Sequence, residues 1–394
     1  MQKKVLVVYG TRPEAIKLAP VVRALHADSG LLPVVAVTGQ HREMLDQVND
    51  FFGVTPDVDL DVMIHAATPN AIARRVLREM ESLLARERPD AVVVQGDTTS
   101  AFAASLAAFL AEIPVVHVEA GLRTGDVSSP FPEEANRRLT GVVASLHLAP
   151  TATARGNLER EGVDPATILV TGNTVVDALQ WAVQQPVAFT DDRVSALGGD
   201  RGLVLVTTHR RESWGGPMQD AMSGLADVAR AHPELDFLLP LHRNRAVRDV
   251  VVPALDDAAN VVLTEPLGYA EFAHAMARSL LVVTDSGGVQ EEAPSLGKPV
   301  LVLRDTTERP EGVEAGVVRL VGTERHVVAA EIERLLGDRA AYDEMARAVN
   351  PYGDGHAAER SAAAIRAHLG GTALPAEFTP PSAGTLRALR SEAG

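Results

Sequence analysis

The chain of 394 residues contains no cysteine. Disulfide bonds, a thiolate nucleophile and a cysteine-ligated metal are therefore excluded, and the composition suits a reducing compartment. Long hydrophobic runs are also lacking, because the longest uncharged one, near SAFAASLAAFLA, stops at Glu112 and is too short to cross a membrane. The first ten residues, MQKKVLVVYG, have the pattern of a short strand and not of a signal peptide. These absences predict a cytoplasmic protein with no membrane partner.

Positive charge is scarce as well. The chain has 37 lysines and arginines against 52 acidic residues, which gives a net charge of -15. A general nucleic-acid-binding surface is therefore not expected, although a local basic pocket can still hold an anion. Neither G-x-G-x-x-G nor G-x-x-x-x-G-K-[ST] occurs, so the sequence does not support an NAD or ATP site and predicts no cofactor.

Short aliphatic runs alternate with helical patterns along the whole chain. In the first half these runs are KVLVVYG, PVVAVTG, DAVVVQGD, PVVHVEAG, SLHLAP and TILVTGN. In the second half they are GLVLVTTH, LDFLLPLH, NVVLTEP, LLVVTD, PVLVLR and VVRLVG. Uninterrupted aliphatic strands bounded by turns are typical of parallel sheets buried on both faces. The predicted fold class is α/β, with two doubly wound parallel-sheet domains that bind ligands at the carboxyl ends of their strands and face a cleft.

Domain boundaries follow from breaks in this alternation. Residues 184–202 introduce proline, glycine and charge, and we interpret them as the connection between an amino-terminal domain, 1–183, and a carboxyl-terminal domain, 203–370. The last helix of the second domain is a candidate for return to the first. The residues from 371 to 394 are rich in proline, glycine, serine and alanine, which predicts a loosely ordered tail.

A helix start follows the first strand. Thr11 suits an N-cap, Pro13 suits the first turn and Glu14 completes a capping box, so these residues are explained by structure alone. Arg12 and Lys17 are not, because positive charge is unfavourable at the positive end of a helix. Their presence predicts an anionic group, such as a phosphate, close to this helix start.

Acidic residues follow further strands of the first half. Asp97 comes after VVVQG, Glu119 comes after VVHV, and Glu133 and Glu134 open a helix. Each alone is explained by capping, a turn or solvation, but three acidic positions in one half of the chain favour a catalytic cluster. His117 and Glu119 at i and i+2 of a strand also leave open a metal site, although their spacing matches no recurrent metal motif.

Basic residues end two strands of the second half, namely His209 and Arg210 in VLVTTHRRE and His242 in LLPLHRN. Arg309 lies in a loop after another strand. Single histidines at such positions are usually structural, but two basic clusters at equivalent strand ends of an acidic chain indicate an anionic ligand.

The stretch TDSGGVQEE combines two opposite signals. Ser286, Gly287 and Gly288 stand at a predicted helix start, which suits a bound phosphate. Glu291 and Glu292 follow one turn later, where a carboxylate repels an anion. The ligand must therefore present something other than phosphate to the acidic side chains.

Eight segments resemble the non-hydrolysing UDP-N-acetylglucosamine 2-epimerases of bacteria. They are GTRPEAIKLAP, QGDTTS, HVEAGLRTGD, PFPEEANR, TGNTVVDAL, TTHRRE, TDSGGVQEEAPSLGKPVLVLRDTTERPEGVEAG and NPYGDG, and they span about residues 1–370 in the family's order. The resemblance implies two Rossmann-like domains of the GT-B type with the active site between them. It also implies a homodimer that interconverts UDP-GlcNAc and UDP-ManNAc for cell-surface polysaccharide.

The resemblance also implies roles for individual residues. The expected catalytic residues are Asp97, Glu119, Glu133 and His209, and the expected UDP-binding residues are Arg12, Lys17, Ser286, Gly287, Gly288, Glu292 and Arg309. Glu292, or failing that Glu291, would accept hydrogen bonds from the ribose hydroxyls, which resolves the two opposite signals of the stretch. A second, allosteric nucleotide-sugar site would involve Gln40, Arg210, His242 and Glu134. No metal is expected.

The substrate constrains the chemistry, because the hydrogen on carbon 2 is not acidic. Direct deprotonation would need a very strong base. Elimination of UDP to 2-acetamidoglucal, followed by protonation from the other face and re-addition, relieves this need and requires no redox cofactor. Three other functions stay open: a GT-B glycosyltransferase, a hydrolysing epimerase that releases free ManNAc, and a nucleotide-sugar sensor without turnover.

Overall fold

The computed structural model of the protein describes residues 2–39, 42–62, 68–370 and 372–380, without the side chains of 42–44. The chain divides into two compact units. The first comprises the residues up to Ala178 together with Tyr352–Thr379, and the second comprises Leu179–Pro351. The division therefore falls inside a helix, upstream of the segment 184–202 that the sequence suggests as a connection, and residues 352–370 belong to the first unit. The proline, glycine and charge of residues 184–202 indicate a linker, whereas the division between the units depends on which helices pack together, and composition does not show that.

The first unit is built around a parallel sheet. Its strands are β1 (Lys3–Tyr9), β2 (Leu31–Val37), β3 (Val58–Asp59), β4 (Ala91–Gln95), β5 (Val115–Val118), β6 (Leu146–Ala149) and β7 (Ile168–Val170). The helices up to the division are α1 (Arg12–Ala27), α2 (Arg42–Phe52), α3 (Pro69–Glu87), α4 (Thr99–Leu110), α5 (Glu133–Val143), α6 (Ala152–Arg160) and α7 (Thr174–Ala182). Over the described residues the strand order is β3-β2-β1-β4-β5-β6-β7.

The second unit repeats the plan. Its strands are β8 (Gly202–Thr207), β9 (Leu235–Pro240), β10 (Val261–Thr264), β11 (Leu281–Thr284), β12 (Val300–Val302) and β13 (Val318–Leu320), ordered β10-β9-β8-β11-β12-β13 within the described chain. Its helices are α8 (Asp192–Ser195), α9 (Gly216–Ala231), α10 (Arg245–Leu255), α11 (Tyr269–Arg278), α12 (Gly287–Glu292), α13 (Pro310–Glu314), α14 (Arg325–Gly337) and α15 (Arg339–Ala346). The last helix, α16 (Ala357–His368), packs against α1 in the first unit.

The prediction of two Rossmann-like parallel-sheet domains is confirmed. The twelve aliphatic runs named from the sequence all form strands, because a strand covered by helices on both faces is largely apolar. Strand β3 was not foreseen, since its two residues are too short to show a pattern. Leu6 of β1 and Phe237 of β9 are fully buried in the cores of their respective units, and burial of such side chains contributes roughly 2 kcal/mol each. No helix among the described residues is long and apolar enough to cross a bilayer.

The start of the expected loose tail is ordered against the first unit. The backbone N–H of Phe378 donates to the carbonyl of Val170 at 2.8 Å, and the Phe378 ring is buried. Glu377 forms an ion pair of 2.5 Å with Arg155 of α6. Composition missed this contact because β7 is an edge strand, and an edge strand offers backbone groups to a neighbouring segment whatever that segment's overall composition. Residues 371 and 381–394 of the predicted tail lie outside the described residues.

Candidate functional site

The turn between β1 and α1 has the capping box that the sequence predicts. Thr11 caps α1 and accepts from the backbone N–H of Glu14, whose carboxylate accepts in return from the amides of Gly10 and Thr11, each at 2.8 Å. Thr98, at the start of α4, donates to the other Glu14 oxygen at 2.6 Å. Burial raises the pKa of the Glu14 carboxyl, against these hydrogen bonds. Glu14 therefore connects the start of α1 with the turn between β4 and α4. Arg12, the first residue of α1, is half-buried.

Glu119 lies at the centre of the site in the first unit. Its carboxylate is 7% exposed and accepts from the amide of Asn173 at 3.1 Å, from the amide of Gln95 and from the ammonium of Lys17. The backbone of Glu119 has a φ of +61°, which a residue with a side chain rarely adopts. Such conformations concentrate at functional sites, where the surrounding contacts hold them in place. Lys17 therefore has a protein partner, Glu119, in addition to the phosphate that the sequence predicts for it.

His117 does not face the same partners as Glu119. Its Nε2 lies 2.7 Å from the carbonyl oxygen of Gly96, and burial lowers the pKa of this histidine to about 3. Strand β5 ends at Val118, so strand alternation does not extend to Glu119. Neutral His117 therefore supports the turn that follows β4. Within the described ranges, no three histidine or acidic side chains are grouped so as to hold a metal ion.

Asp97 follows that turn and forms an ion pair with Arg137 of α5. Its backbone carbonyl accepts from the side-chain amide of Asn136 at 3.0 Å. Glu133 is half-buried at the start of the same helix. The start of α5 therefore adjoins the carboxyl end of β4, as the prediction of a shared acidic cluster requires.

Glu134 has a different environment. Its carboxylate is fully buried and accepts from the backbone of Thr124 at 3.1 Å and from the guanidinium groups of Arg138 at 3.0 Å and Arg137 at 3.5 Å. These bonds join the loop after β5 to α5. The contacts of Glu134 are thus of the kind that position a helix. Gln40, the other first-unit residue assigned to an allosteric site, lies outside the described residues.

In the second unit Asp285 gathers the ends of two adjacent strands. It is fully buried after β11, and its Oδ2 accepts from the hydroxyl of Thr208 at 2.9 Å and from the amides of His209 and Arg210 at 2.8 and 2.9 Å. Its Oδ1 lies 2.9 Å from Nδ1 of His209. Burial alone would raise the pKa of Asp285, but the bonds from His209 and the two amides outweigh it and hold that pKa below its usual range.

His209 and His242 stand side by side at the ends of β8 and β9. Their rings stack with centroids 6.0 Å apart. The His209 side chain is 41% exposed, while its Nδ1 is directed at Asp285, so the other ring nitrogen is available to a ligand. Burial and the neighbouring His209 lower the pKa of His242. The two basic strand ends predicted from the sequence are therefore brought together within this unit.

The glycine-containing turn after β11 lies beside two arginines. A side chain added at Gly287 would come within 3.4 Å of Arg210 and 3.7 Å of Arg309, whereas one at Gly288 would meet nothing within 4 Å. Ser286 precedes α12 with its own N–H bonded to Thr284, and its side chain makes no capping bond. The backbone amides at this turn thus adjoin two guanidinium groups, an arrangement suited to phosphate oxygens.

The two glutamates of α12 differ in their contacts. Glu291 is 2% exposed and pairs with Arg309 at 2.5 Å, so its carboxylate orients that arginine. Glu292 ends the helix and is 8% exposed. Glu308 pairs with Arg304 and Arg210, which together with other hydrogen bonds overcome the effect of burial and lower its pKa to about 2. Glu291 and Glu308 thus orient the three arginines of this region: Arg309, Arg304 and Arg210.

Four residues that contribute to these sites were not identified from the sequence: Gln95, Arg137, Asn173 and Asp285. Gln95 and Asp285 do stand at strand ends, the position that drew attention to Asp97 and His209. Arg137 and Asn173 gave no such signal, because their partners lie 40 and 54 residues away in the chain.

Each unit supports a different part of a reaction. The first unit offers the buried carboxylate of Glu119, held by a lysine and two side-chain amides, and the partly exposed carboxylates of Asp97 and Glu133, which are groups suited to proton transfer. The second offers backbone amides, two arginines and an oriented histidine, suited to a phosphate-bearing ligand or leaving group.

Comparison with known proteins places the chain among close relatives. The sequence model described as UDP-N-acetylglucosamine 2-epimerase matches residues 23–366. The UDP-N-acetylglucosamine 2-epimerase of Escherichia coli K12 is 51% identical over 370 residues, which covers 92% of this chain and 98% of that protein. The structure of Staphylococcus aureus MnaA with UDP aligns with a TM-score of 0.85 at 43% identity, covering 96% and 100% of the two chains. The Neisseria meningitidis UDP-GlcNAc 2-epimerase bound to UDP-GlcNAc aligns with a TM-score of 0.83 at 44% identity, covering 90% and 97%.

Proposed function

Because this chain belongs to the UDP-N-acetylglucosamine 2-epimerase family, we propose that it interconverts UDP-GlcNAc and UDP-ManNAc by eliminating UDP and adding it back. The enzyme is a UDP-N-acetylglucosamine 2-epimerase of the non-hydrolysing type. Its substrate and product are nucleotide sugars, and UDP is the group that leaves and returns.

Elimination breaks the bond between carbon 1 and the diphosphate oxygen while a base takes the proton from carbon 2. The electron pair of that C–H bond forms the double bond of 2-acetamidoglucal, and UDP departs with the pair of the C–O bond. Re-addition delivers a proton to the opposite face of carbon 2 and returns the diphosphate oxygen to carbon 1. The route therefore needs an acid or base group for each face and positive charge for the leaving diphosphate.

The first unit supplies the proton-transfer groups in this proposal. Glu119 is buried and held by three donors, so its orientation is fixed before substrate arrives. Asp97 and Glu133 complete the acidic set at the β4 and α5 ends. Preorganised carboxylates of this kind accelerate proton transfer by roughly 10²- to 10⁴-fold.

The second unit binds UDP and stabilises its charge. The amides after Ser286, together with Arg309 beside Gly287, hold diphosphate oxygens. His209, oriented by Asp285, donates to the departing diphosphate. Glu292 accepts from the ribose hydroxyls, and Arg12 and Lys17 of the first unit add positive charge.

The observation that carries the proposal is the buried Glu119, held by three donors, in a chain of this family. Incubation with UDP-GlcNAc in D2O tests it directly. We expect UDP-ManNAc to form with deuterium at carbon 2, because the proton that is removed exchanges with solvent before a proton is returned. Proton nuclear magnetic resonance measures the loss of the carbon 2 signal. Epimer that keeps its original carbon 2 proton would contradict the elimination route. Free ManNAc would indicate hydrolysis, and sugar transfer to an added acceptor would indicate a glycosyltransferase.

The proposal includes regulation by UDP-GlcNAc at a second site that involves Gln40, Arg210, His242 and Glu134. The His242 ring stacks on His209, so a ligand on one ring alters the surroundings of the other. A ligand that favours one conformation of the enzyme shifts the population toward it in proportion to its differential affinity.

We therefore expect purified UDP-ManNAc to react only after a lag, and a trace of UDP-GlcNAc to abolish that lag. Progress curves by anion-exchange chromatography measure the lag, and UDP-galactose at the same concentration serves as the control nucleotide sugar. Immediate, full-rate conversion of pure UDP-ManNAc would exclude this regulation and leave the epimerase assignment intact.

A homodimer and a cytoplasmic role in cell-surface polysaccharide synthesis complete the proposal. Four large apolar side chains are exposed on the packed helices α4 and α5: Phe109, Leu110, Leu139 and Val142. Exposed apolar groups of this kind favour association with a second copy. We expect light scattering of the purified protein to give twice the mass of one chain. The absence of cysteine is compatible with a reducing compartment.

A further inference from the structure

Asn173 joins the buried carboxylate of Glu119 to a distant part of the first unit. Its Nδ2 donates to Glu119 Oε1 at 3.1 Å, and its Oδ1 accepts from the backbone N–H of Val175 at 3.1 Å. The second bond fixes which end of the amide faces Glu119, since an amide oxygen cannot donate and an amide nitrogen cannot accept. The side chain is therefore held as an oriented donor.

The backbone of Asn173 is anchored by the segment that returns from the second unit. Its N–H donates to the carbonyl of Tyr352 at 2.6 Å, and Tyr352 is 2% exposed. Two glycines permit this approach. A methyl group on Gly172 would lie 3.4 Å from Gly353 Cα, and one on Gly353 would lie 3.3 Å from Val176 and 3.4 Å from the carbonyl oxygen of Asn173.

The returning segment is fixed at its other end as well. Asp177 of α7 is 8% exposed and accepts from the first amides of α16, those of Ala357 at 3.2 Å and Ala358 at 2.8 Å. Helix α16 in turn packs on α1, the helix that carries Lys17. Two donors to Glu119 therefore depend on the part of the chain that returns to the first unit: Asn173 through Tyr352, and Lys17 through the packing of α16 on α1.

From these contacts we infer that Asn173 is a positioning residue for Glu119 and that residues 352–358, including the NPYGDG motif from its tyrosine onward, set the position of Asn173. The inference rests on the proposed catalytic role of Glu119. It gives a task to a motif that neither proton transfer nor UDP binding uses. A donor displaced by a fraction of an ångström lets the carboxylate rotate, and misplacement of about 1 Å can cost roughly 100-fold in rate.

Asn173→Asp tests the donor. The aspartate keeps the acceptor for Val175 and the backbone bond to Tyr352, but replaces the donor to Glu119 with a negative oxygen. We expect kcat to fall about 100-fold while KM and the affinity for UDP, measured by calorimetry, change less than about 3-fold. Asn173→Ser replaces the amide with a shorter hydroxyl that does not reach Glu119, adds no charge, and is expected to reproduce the fall in kcat. A loss confined to Asn173→Asp would attribute the effect to the added charge and overturn the inference.

Gly353→Ala tests the returning segment without touching Glu119. The added methyl group presses on Val176 and the Asn173 carbonyl, and we expect kcat to fall about 10-fold with KM little changed. In the Asn173→Asp background the same substitution is expected to cost less than about 2-fold, because the bond through which it acts is already missing. The matched control is Gly156→Ala on α6, where a methyl group meets only the end of Arg160, and it is expected to leave kcat unchanged.

Full additivity of the two substitutions, or a normal kcat in Gly353→Ala, would overturn the inference. Circular dichroism melting of each variant shows that the comparison is made on folded protein. Failure of the inference is distinguishable from failure of the proposed function through Glu119→Gln. If that variant is inactive while Asn173→Asp and Asn173→Ser turn over normally, only the positioning role is wrong. If Glu119→Gln is fully active, the catalytic assignment itself fails.

Discussion

Glu119→Gln is expected to lose about 1000-fold in kcat while it still binds UDP. Glutamine matches the size of the carboxylate and can keep a bond to the amide of Asn173, but it cannot take a proton. The variant also leaves Lys17 without its anionic partner in a site where both side chains are largely buried. Epimerisation and deuterium exchange at carbon 2 should therefore fall together, because both begin with the same proton transfer.

Two companion variants separate catalysis from binding. Glu81→Gln changes an exposed carboxylate on α3 of the same unit and is expected to behave as wild type. Glu292→Gln is expected to show the converse of Glu119→Gln, with UDP affinity reduced about 10-fold because a ribose hydroxyl loses its charged acceptor. Residual turnover above about a tenth of wild type in Glu119→Gln would remove this residue from the proton-transfer step.

Asp285→Asn is expected to lower both stability and turnover. The carboxylate accepts from Thr208, His209 and Arg210 in a fully buried position, and an amide nitrogen placed there would face donors. Leaving buried donors unsatisfied costs on the order of 3 kcal/mol in the free energy of unfolding. His209 loses the charged partner of its Nδ1, so we also expect kcat to fall about 100-fold at temperatures where the variant is folded.

Urea denaturation and steady-state kinetics measure these two effects. Because the folded state holds the pKa of Asp285 below its usual range, its charge stabilises the protein above the unfolded pKa and this contribution is lost as the pH falls. The stability gap between wild type and Asp285→Asn should therefore narrow below about pH 4. The control is Asp249→Asn, an exposed residue on α10 paired with Arg245, which is expected to change stability by less than about 0.5 kcal/mol. Wild-type stability and turnover in Asp285→Asn would refute the role of this carboxylate.

The two predictions depend on residues that the sequence revealed unequally. Glu119 stood out because an acidic residue directly after an aliphatic strand lies at the ligand-binding edge of a parallel sheet. Asp285 occupies the same kind of position after β11, but the glycines and glutamates of the same stretch give a stronger sequence signal for a ligand site. Its burial and its bonds from Thr208, His209 and Arg210 depend on the pairing of β8 with β11 in the sheet, which the sequence does not show.

What the sequence determined by itself rests on local rules. Largely apolar runs, which form strands of three to seven residues here, predict strands buried between helices, and a threonine followed three residues later by a glutamate predicts the cap of α1. These patterns depend on neighbours a few positions away, so the twelve strands and the capping box could be found without tertiary information. The acidic and basic strand ends followed, because carboxyl ends of parallel strands share one edge of each sheet.

The partners of those residues were decided by tertiary structure alone. Lys17 meets Glu119 across 102 positions, and Asp177 meets Ala358 across 181. No periodicity in the sequence records such a pairing, since it depends on how the strands are ordered and on where a returning helix packs. The sequence thus specified which strand ends carry reactive groups. Packing of α16 on α1, and of β8 beside β11, specified how each group is held and therefore what it can do.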